Sequence, residues 1–574
     1  MTGTLRIGNC SGFYGDRLSA MREMLEGASD GQSLDVLTGD YLAELTMLIL
    51  GKDTMKDPAL GYARTFVRQL EDCLGLALER GVRIVSNAGG LNPAGLAARL
   101  GEVASGLGLS PSIALVDGDD VRSLGFEGAL TANAYLGGWG IAAALAGGAD
   151  VVVTGRVTDA SLVVGPAAWA HGWSPTSYDE LAGAVVAGHV LECGGQATGG
   201  NFSGFASIDR TRSLGFPLAE IAADGSSVIT KHDGTGGLVS VDTVTAQLMY
   251  EVQGTSYLNP DVTTDLTSIR LGADGRDRVA ISHVRGSAPP ERLKVCVNVL
   301  GGYRNTVEFV LTGLDVEAKA DWVRSQLTPS ASSVTWALGA LPGPDADTEE
   351  GASTLLRCTV QDPSADAVGR VFSAAAVELA LASYPGFTMT APPGTGTPYG
   401  VYRAEYVDRS AVRHTVHHAD GSTSLVEEGA PAPVTRPRER SAASSPGLVT
   451  VASATSSTDG ARAPLGTFVH ARSGDKGGDA NLGLWVRHDG HPSYDARVAW
   501  LLSIITADFV RDLLPETRAL DVEVHALPNL GGVNVVVHGL LGHGVAASTR
   551  FDPQAKGLGE WARSRHVEIP EVLV

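Results

Sequence analysis

The stretch Leu5-Arg6-Ile7-Gly8-Asn9-Cys10-Ser11-Gly12, residues 5–12, predicts a short apolar strand that ends in a polar, glycine-rich turn. Short, mostly apolar strands are typical of a parallel sheet that is covered on both faces. Backbone N–H groups in such a turn suit a carbonyl or anionic oxygen, and Asn9 and Ser11 add side-chain groups. We therefore predict that Asn9, Ser11 and Gly12 bind substrate, with a tight turn and helix cap as the alternative.

The same alternation of short apolar runs and amphipathic stretches continues to about residue 160. The further strands predicted are Leu34–Leu37, Arg83–Ser86, Ser112–Val116 and Asp150–Val153. The helices predicted are Arg17–Glu26, Tyr41–Leu50, Pro58–Glu79, Pro93–Leu107 and Ala132–Ala146. Strands that alternate with helices indicate an α/β fold, here a large N-terminal domain with a mostly parallel, doubly wound sheet.

Polar loops follow all five predicted strands. They are Asn9–Gly15, Thr38–Asp40, Asn87–Asn92, Asp117–Asp120 and Thr154–Asp159. In open α/β sheets the ligand binds outside the carboxyl ends of the strands. These loops are therefore predicted to line one shared site.

The sequence changes character after about residue 190. Arg292–Leu300 and Thr306–Leu311 resemble strands, and Ala419-Asp420-Gly421 predicts a hairpin turn. We predict an N-terminal domain at 4–428, an Ala/Pro/Ser-rich linker at 429–464, and a small α+β domain at 465–570. The elements expected in the last domain include two opening strands, a long helix (Ala496–Leu514), two strands (Val522–Leu527 and Val533–Val537) and a final helix after Asp552.

Length and charge narrow the class of protein. A chain of 574 residues exceeds a single core, and 43 basic against 64 acidic residues give a net charge of −21. That charge argues against binding to nucleic acid or to an anionic membrane surface. Five cysteines, no signal peptide pattern and no long apolar run lead us to expect a cytoplasmic protein. We also expect a homo-oligomer with a small-molecule substrate.

Several standard motifs are absent or out of context. The sequence contains neither a P-loop nor H-E-x-x-H, and Gly27-Ala28-Ser29-Asp30-Gly31 follows a helix pattern instead of a strand. Gly138-Trp139-Gly140 lacks the strand that a dinucleotide fingerprint needs. His417 and His418 would point to opposite faces of a strand, so we expect no metal site. We also expect no tightly bound cofactor.

Two pairs of charged residues are candidates for proton transfer and anion binding. Asp40 and Glu44 are predicted to lie one turn apart on a helix face, where paired carboxylates can act as acid and base. Asp159 follows Arg156 after an apolar strand, and Arg156 suits bidentate binding of an anion. The alternatives are a helix cap for the first pair and a structural ion pair for the second.

Further candidates lie in later loops. Lys231 and His232 precede a glycine-rich turn, which suits anion binding by Lys231 and acid–base chemistry by His232. Cys193 follows His189 and Glu192, but catalysis by Cys and His needs spatial contact.

Two more loops contain residues that we predict to bind substrate. In the third loop of the first domain these residues are Asn87, Gly89, Gly90 and Asn92. In the first loop of the last domain they are Arg472, Asp475 and Lys476.

Five motifs in order resemble the acyclic terpene utilisation AtuA family. They are GNCSGFYGDR, LTGDYLAELTM, SNAGGLNP, TGRVTDAS and HARSGDKGGDANLG. The resemblance covers nearly the whole chain and implies a ferredoxin-like last domain. It also implies a role in bacterial catabolism of citronellol and geraniol through coenzyme A thioesters.

The function expected from this resemblance is hydration or carbon–carbon cleavage of a branched-chain or terpenoid acyl-CoA or a related carboxylic acid. Two alternatives stay open at this point. One is a hydrolase that uses Ser11 or Cys193 as its nucleophile. The other is a non-catalytic accessory or binding subunit of an acyl-CoA catabolic complex.

Overall fold

The computed structural model describes residues 3–27, 33–426 and 460–574. The first part of the chain forms, in order, β1 (Leu5–Asn9), α1 (Ala20–Glu26), β2 (Val36–Gly39), α2 (Glu44–Lys56), α3 (Arg64–Glu79), β3 (Arg83–Ser86), α4 (Pro93–Gly106), β4 (Ile113–Asp117), β5 (Ala129–Ala134), α5 (Trp139–Ala146), β6 (Val151–Thr154), α6 (Ser161–His171) and α7 (Tyr178–Leu191).

The middle of the chain is richer in strands. It forms β7 (Pro217–Ile221), β8 (Ser227–Lys231), α8 (Val241–Leu248), β9 (Ser256–Leu258), β10 (Thr263–Asp265), β11 (Arg270–Ala273), β12 (Val279–Ser282), β13 (Arg285–Ser287), β14 (Arg292–Thr312), α9 (Val316–Gln326), β15 (Ser333–Leu338), β16 (Ser353–Asp362), α10 (Ala365–Val368), α11 (Arg370–Val377), β17 (Thr388–Met389), β18 (Thr397–Asp408), β19 (Thr415–His417) and β20 (Thr423–Leu425).

The main sheet has eleven strands in the order β11-β12-β8-β7-β1-β2-β3-β6-β4-β19-β20. The central strands β1, β2, β3, β6 and β4 are parallel, which confirms the α/β class and the five predicted strands. The flanking strands are antiparallel, so the mostly parallel arrangement is limited to the centre. The predicted hairpin is also present, because β19 pairs with β20 and extends the sheet beyond β4.

Four of the five predicted helices begin later than expected, at Ala20, Glu44, Arg64 and Trp139, and the differences at Glu44 and Trp139 concern the site. The helix predicted from Tyr41 begins at Glu44, so Asp40 lies before the helix and not on one of its faces. The helix predicted over Ala132–Ala146 begins at Trp139, and its first residues belong to strand β5. Pairing of β5 with β14, far away in sequence, supplies hydrogen bonds that a sequence pattern does not reveal.

A second sheet is built around β14, a strand of 21 residues. The two strands predicted at Arg292–Leu300 and Thr306–Leu311 are parts of this one strand. A bulge between Leu300 and Gly302, where Gly302 has a φ of 130°, interrupts the regular register without ending the strand. One half of β14 pairs with β5 and β18, and the other half with β16.

The C-terminal residues form a separate antiparallel sheet in the order β22-β23-β25-β24. Its elements follow β21 (Gly460–Pro464) and are β22 (Val469–Lys476), β23 (Asp479–Val486), α12 (Tyr494–Ile504), α13 (Ala507–Leu513), β24 (Val522–Leu527), β25 (Gly532–Val537), α14 (Leu558–Ser564) and β26 (His566–Pro570). The single helix predicted at Ala496–Leu514 is wrong. It is divided because Thr506 accepts a hydrogen bond from Phe509 N and starts a new helix.

The two faces of this sheet have different partners. Ala480, Leu482 and Leu484 of β23 lie in the core that the C-terminal helices cover. Asn481 and Trp485 alternate with them and contact the N-terminal domain, where Trp485 Nε1 donates to Asp242 at 3.0 Å. Because side chains alternate along a strand, one face of β23 packs in the C-terminal core and the other contacts the N-terminal domain.

Most of the predicted linker at 429–464 lies outside the described residues, and Gly460–Pro464 pair with β26. Within the described ranges, we find no helix that combines the length and the apolar character needed to cross a membrane.

Asn9 fastens the end of β1 to the end of α7. Its Nδ2 donates to the backbone oxygens of Leu191 and Glu192 at 2.6 and 3.2 Å. The side chain is buried, and carbonyls at the C-terminus of a helix lack partners within the helix. Asn9 therefore has a structural role as a cap between two elements.

We predict that Asn9→Ala lowers the free energy of unfolding by about 1–3 kcal/mol, because it leaves buried carbonyls without donors. Urea denaturation measures this change. Asn92→Ala, which removes a helix cap closer to the surface, should cost about 1 kcal/mol. A stability of Asn9→Ala equal to that of the wild type would contradict the structural role.

We predict opposite signs for two glycine-to-alanine changes inside helices. Gly183 of α7 faces Gly225, whose carbonyl oxygen a Cβ atom would overlap, so Gly183→Ala should destabilise the protein by about 1–3 kcal/mol. Gly101 of α4 has open space around its Cβ position, so Gly101→Ala should stabilise by about 0.5–1 kcal/mol. Thermal unfolding of both variants tests the contrast, and equal shifts would refute it.

Candidate functional site

Three of the predicted loops interlock at the carboxyl edge of the parallel strands. The backbone N–H of Asp40 donates to the Ser11 carbonyl oxygen at 3.0 Å. Asn87 Nδ2 donates to Asp40 Oδ1 at 2.6 Å, and Asn87 Oδ1 accepts from Tyr41 N at 2.8 Å. The ends of β1, β2 and β3 are therefore joined through the buried Asp40.

The other two loops meet at Arg156. Asp119 Oδ2 accepts from Arg156 N at 2.9 Å, and Asn133 Nδ2 donates to the same oxygen at 2.7 Å. Arg156 Nη1 donates to Leu42 O at 3.0 Å and to Asp159 Oδ1 at 2.8 Å. The guanidinium group is almost fully buried, so the Arg156–Asp159 pair lies at the floor of the site.

The second sheet adds aromatic and basic side chains. The Tyr135 hydroxyl donates to Glu44 Oε1 at 3.0 Å, and its ring lies 4.2 Å from the Arg156 guanidinium carbon. Lys294 Nζ lies 3.9 Å from Glu44 Oε1 and 5.0 and 5.6 Å from the ring centres of Tyr135 and Tyr402. Lys294 is therefore held by one carboxylate and two aromatic rings.

Tyr135, Lys294 and Tyr402 are not among the site residues predicted from the sequence. One signal was present in β14, where Lys294, Cys296 and Asn298 alternate with buried apolar residues and so share a polar face. Tyr135 and Tyr402 carry no comparable signal, because their place in the site depends on long-range strand pairing.

The C-terminal domain brings Lys476 to the same place. Lys476 Nζ lies 3.5 Å from Glu251 Oε2, and Glu251 has a φ of 58°, in the left-handed region. This conformation costs about 1–3 kcal/mol for a residue other than glycine. The last domain thus contributes a cation to the site of its own chain. We call the group Asp40, Glu44, Arg156, Asp159, Glu251, Lys294, Asp475 and Lys476 the charge cluster.

Carboxyl groups of the charge cluster have pKa values that are displaced in opposite directions. Burial alone would raise the pKa of Glu44, but Lys294, Lys476 and Arg156 together lower it to about 2. Burial raises the pKa of Asp475 to about 8, and the charge of Glu44 contributes to that rise. One carboxyl group is therefore ionised at neutral pH while its neighbour keeps a proton.

Two further carboxyl groups at the floor of the site have raised pKa values. Burial, reinforced by the charge of Asp159, raises the pKa of Asp40 well above its usual value. Burial also raises the pKa of Asp159, although the charge of Arg156 opposes this effect. Asp40 and Asp159 can therefore hold or accept a proton nearer to neutral pH than an exposed aspartate can.

A cleft of about 50 Å³ opens between the two domains beside the charge cluster. Its apolar walls consist of Ala43, Leu45, Leu48, Val545 and Ala546. Its polar and glycine residues are Glu44, Asn298, Tyr402, Asp475, Gly477, Gly544 and Gln554. The cleft combines a hydrocarbon-like wall with Glu44 and Asp475, the two carboxyl groups of opposite protonation state.

Ser11, Gly12 and Cys193 are packed into the wall behind the site. Ser11 Oγ donates to Phe13 O at 3.0 Å, and a Cβ atom on Gly12 would lie 2.6 Å from the Cys193 carbonyl carbon. Burial raises the pKa of the Cys193 thiol well above its usual value. Neither Ser11 nor Cys193 has a base that would activate it among the contacts described.

Other predicted residues have packing or docking contacts. A Cβ on Gly89 would overlap Thr154 O, Gly90 has a φ of 53°, and Asn92 caps α4 by accepting from Gly95 N. Arg472 lies on the Tyr250 ring at 4.1 Å and donates to Asn201 O at 3.2 Å and to Gln196.

Lys231 and His232 are not brought to the charge cluster. Lys231 is the last residue of β8 and His232 follows it, and β8 lies two strands from β1 in the main sheet. Lys231 Nζ donates to Thr235 O and lies 3.5 Å from Asp277, while His232 Nε2 lies 3.0 Å from Met24 O. Lys231 and His232 are thus held by other contacts, at a distance from the charge cluster that two strand spacings of about 5 Å each create.

Asp521, Glu523 and His538 form one group whose ligand atoms lie within 4.8 Å of one another and could hold a metal ion. Both carboxylate residues are exposed, and the group lies in the C-terminal domain, at the start of β24 and just after β25. His417 and His418, for which the sequence predicts no metal site, contact Asp117 and Ser424, respectively.

Comparison with known proteins assigns both parts of the chain. Residues 5–418 match the family model "Acyclic terpene utilisation family protein AtuA", and residues 463–568 match "AtuA ferredoxin-like domain". A search of curated proteins found no match. The first match covers well over half of the sequence and includes the residues that converge on Arg156. The chain therefore belongs to the acyclic terpene utilisation family AtuA.

Proposed function

We propose that this chain is a catabolic enzyme that hydrates, or cleaves a carbon–carbon bond in, a branched-chain or terpenoid acyl-CoA or the related carboxylic acid. One observation carries the proposal. Asp475 and Glu44 line the same cleft, with pKa values of about 8 and about 2. Separation of the pKa values of neighbouring carboxyl groups assigns the roles of proton donor and ionised partner.

Asp475 is the proton donor in this proposal. Hydration adds water across a carbon–carbon double bond next to a carbonyl group, so a C–O bond forms at one carbon and a C–H bond at the other. Asp475 supplies the proton of the new C–H bond, and the raised pKa of Asp159 makes it a suitable acceptor for the proton that water loses. Glu44 stays ionised and fixes Lys294 and Tyr135.

The cations of the charge cluster stabilise the negative charge that develops on the substrate carbonyl oxygen. Lys294 and Lys476 lie on the two domains that face the cleft, and Arg156 lies below them. Fixed positive groups in a site with little water stabilise an oxyanion more strongly than water does. Their positions support proton transfer next to a carbonyl group.

The apolar walls of the cleft support a hydrocarbon substrate. Leu45, Val545 and Ala546 offer no hydrogen-bonding side chains, so a small apolar group of the substrate can lie against them without leaving polar groups unpaired. The hydrolase alternative has less support, because the pKa of Cys193 is raised and Ser11 Oγ donates to a backbone carbonyl.

We predict that Asp475→Asn lowers kcat by about 10²–10⁴-fold, because the variant cannot donate the proton. The wild-type rate should fall as the pH rises through about 8, where Asp475 loses its proton. To test this, purified protein is incubated with branched α,β-unsaturated acyl-CoA thioesters and with their free acids. Mass spectrometry then detects the addition of one water molecule or cleavage of the chain.

Asp479→Asn is the matched control, because Asp479 lies in the same hairpin but hydrogen-bonds His538 and Gly539. It should keep the wild-type rate. Full activity of Asp475→Asn would refute the assigned proton donor. Binding of the thioesters without any turnover would refute the enzymatic proposal and favour an accessory subunit.

A further inference from the structure

The turn after α8 is built to present Glu251 to the C-terminal domain. Glu251 is not glycine, yet it adopts the left-handed conformation, with a φ of 58°. A Cβ atom on Gly483 would lie 2.9 Å from Met249 O, and one on Gly474 would overlap the Tyr250 ring. The two glycines of β22 and β23 therefore let this turn press directly against the C-terminal sheet.

Two buried asparagines of the C-terminal domain hold the turn. Asn481 Oδ1 accepts from Glu251 N at 2.8 Å, and Asn481 Nδ2 donates to Met249 O at 3.1 Å. Asn534 Nδ2 donates to Val252 O at 2.9 Å, and the two asparagine side chains also contact each other. Asn481 of β23 thus satisfies a backbone group before Glu251, and Asn534 of β25 satisfies one after it.

The carboxylate of Glu251 then meets Lys476, which extends from the same β-hairpin as Asn481. The charged and titratable groups that face Lys476 are Glu44, Asp159, His189, Glu251, Tyr257, Lys294, Tyr402 and Asp475. Glu251 is the carboxylate with an ion-pair distance to Lys476, at 3.5 Å, among the described residues.

We infer that Glu251 is a positioning residue, fixed by Asn481, that holds the Lys476 ammonium group in the site formed by both domains. Its catalytic consequence rests on the proposed function, since Lys476 lies among Glu44, Asp159 and Asp475. The effect of Glu251 on the position of the Lys476 ammonium group does not depend on any reaction. A glycine at position 251 would adopt the left-handed conformation without strain but would lack this carboxylate.

Reactivity of individual lysines tests the inference without a substrate. The chain has seven lysines, which are Lys52, Lys56, Lys231, Lys294, Lys319, Lys476 and Lys556. Trace labelling of the folded full-length chain with acetic anhydride at pH 8, followed by peptide mass spectrometry, measures the free-amine fraction of each. Glu251→Asn keeps a side chain that tolerates the left-handed region but removes the charge.

We expect Lys476 to react about tenfold or more faster in Glu251→Asn, because loss of an opposite charge within 4–6 Å shifts a pKa by about one unit or more. Glu251→Asp should restore part of the protection. Asn481→Ala, which keeps both charges but releases the turn, should raise the reactivity of Lys476 less than Glu251→Asn does. Glu251→Gln provides the same readout if Glu251→Asn does not fold.

Asp277→Asn is the matched control, because Asp277 also has a left-handed φ of 53° and lies 3.5 Å from Lys231. It should change the reactivity of Lys231 and leave Lys476 as in the wild type. Unchanged Lys476 reactivity in a folded Glu251→Asn variant would overturn the inference. A change at Lys476 in a protein that turns over none of the tested thioesters would support the positioning role while refuting the proposed function.

Discussion

Buried polar groups must find hydrogen-bond partners, and this requirement organises the centre of the molecule. Parallel strands bring polar loop ends together at one edge, where water is excluded. Asp40 illustrates the solution, because its backbone bonds Ser11 and its carboxyl group bonds Asn87. The carboxyl group of Asp119 likewise accepts a hydrogen bond from the backbone N–H of Arg156. The loops therefore support one another, and a change in one of them alters the setting of the others.

The same exclusion of water gives the charge cluster its chemical range. Charges interact more strongly in a partly buried site than at the surface, so small differences in surroundings separate the protonation states of similar groups. Three nearby cations lower the pKa of Glu44, whereas burial and the negative charges of Glu251 and Glu44 raise the pKa of Asp475. Acid and base roles thus follow from position and not from residue type.

The sequence patterns were sufficient to predict the parallel centre of the fold, because each buried strand has a local apolar run that is followed by a polar loop. They also placed Arg156, Asp159 and Lys476 in candidate loops. They could not reveal Lys294, Tyr135 or Glu251, which reach the site through pairing of distant strands or through contact between domains. The patterns also could not show that Lys231 and His232 lie away from the charge cluster, since loop composition does not specify lateral position in a sheet.

The docking of β22 and β23 onto the turn after α8 also bears on the order of biosynthesis. A ribosome releases Glu251 more than 200 residues before Asn481 and Lys476, as the sequence numbering shows. Domains generally fold as units, N-terminal first. During that interval Met249 O, Val252 O and the acidic groups of the site lack the partners that the last domain supplies. Completion of the site therefore waits for synthesis of the last domain, because the N-terminal domain by itself lacks the side chains of Asn481, Asn534 and Lys476.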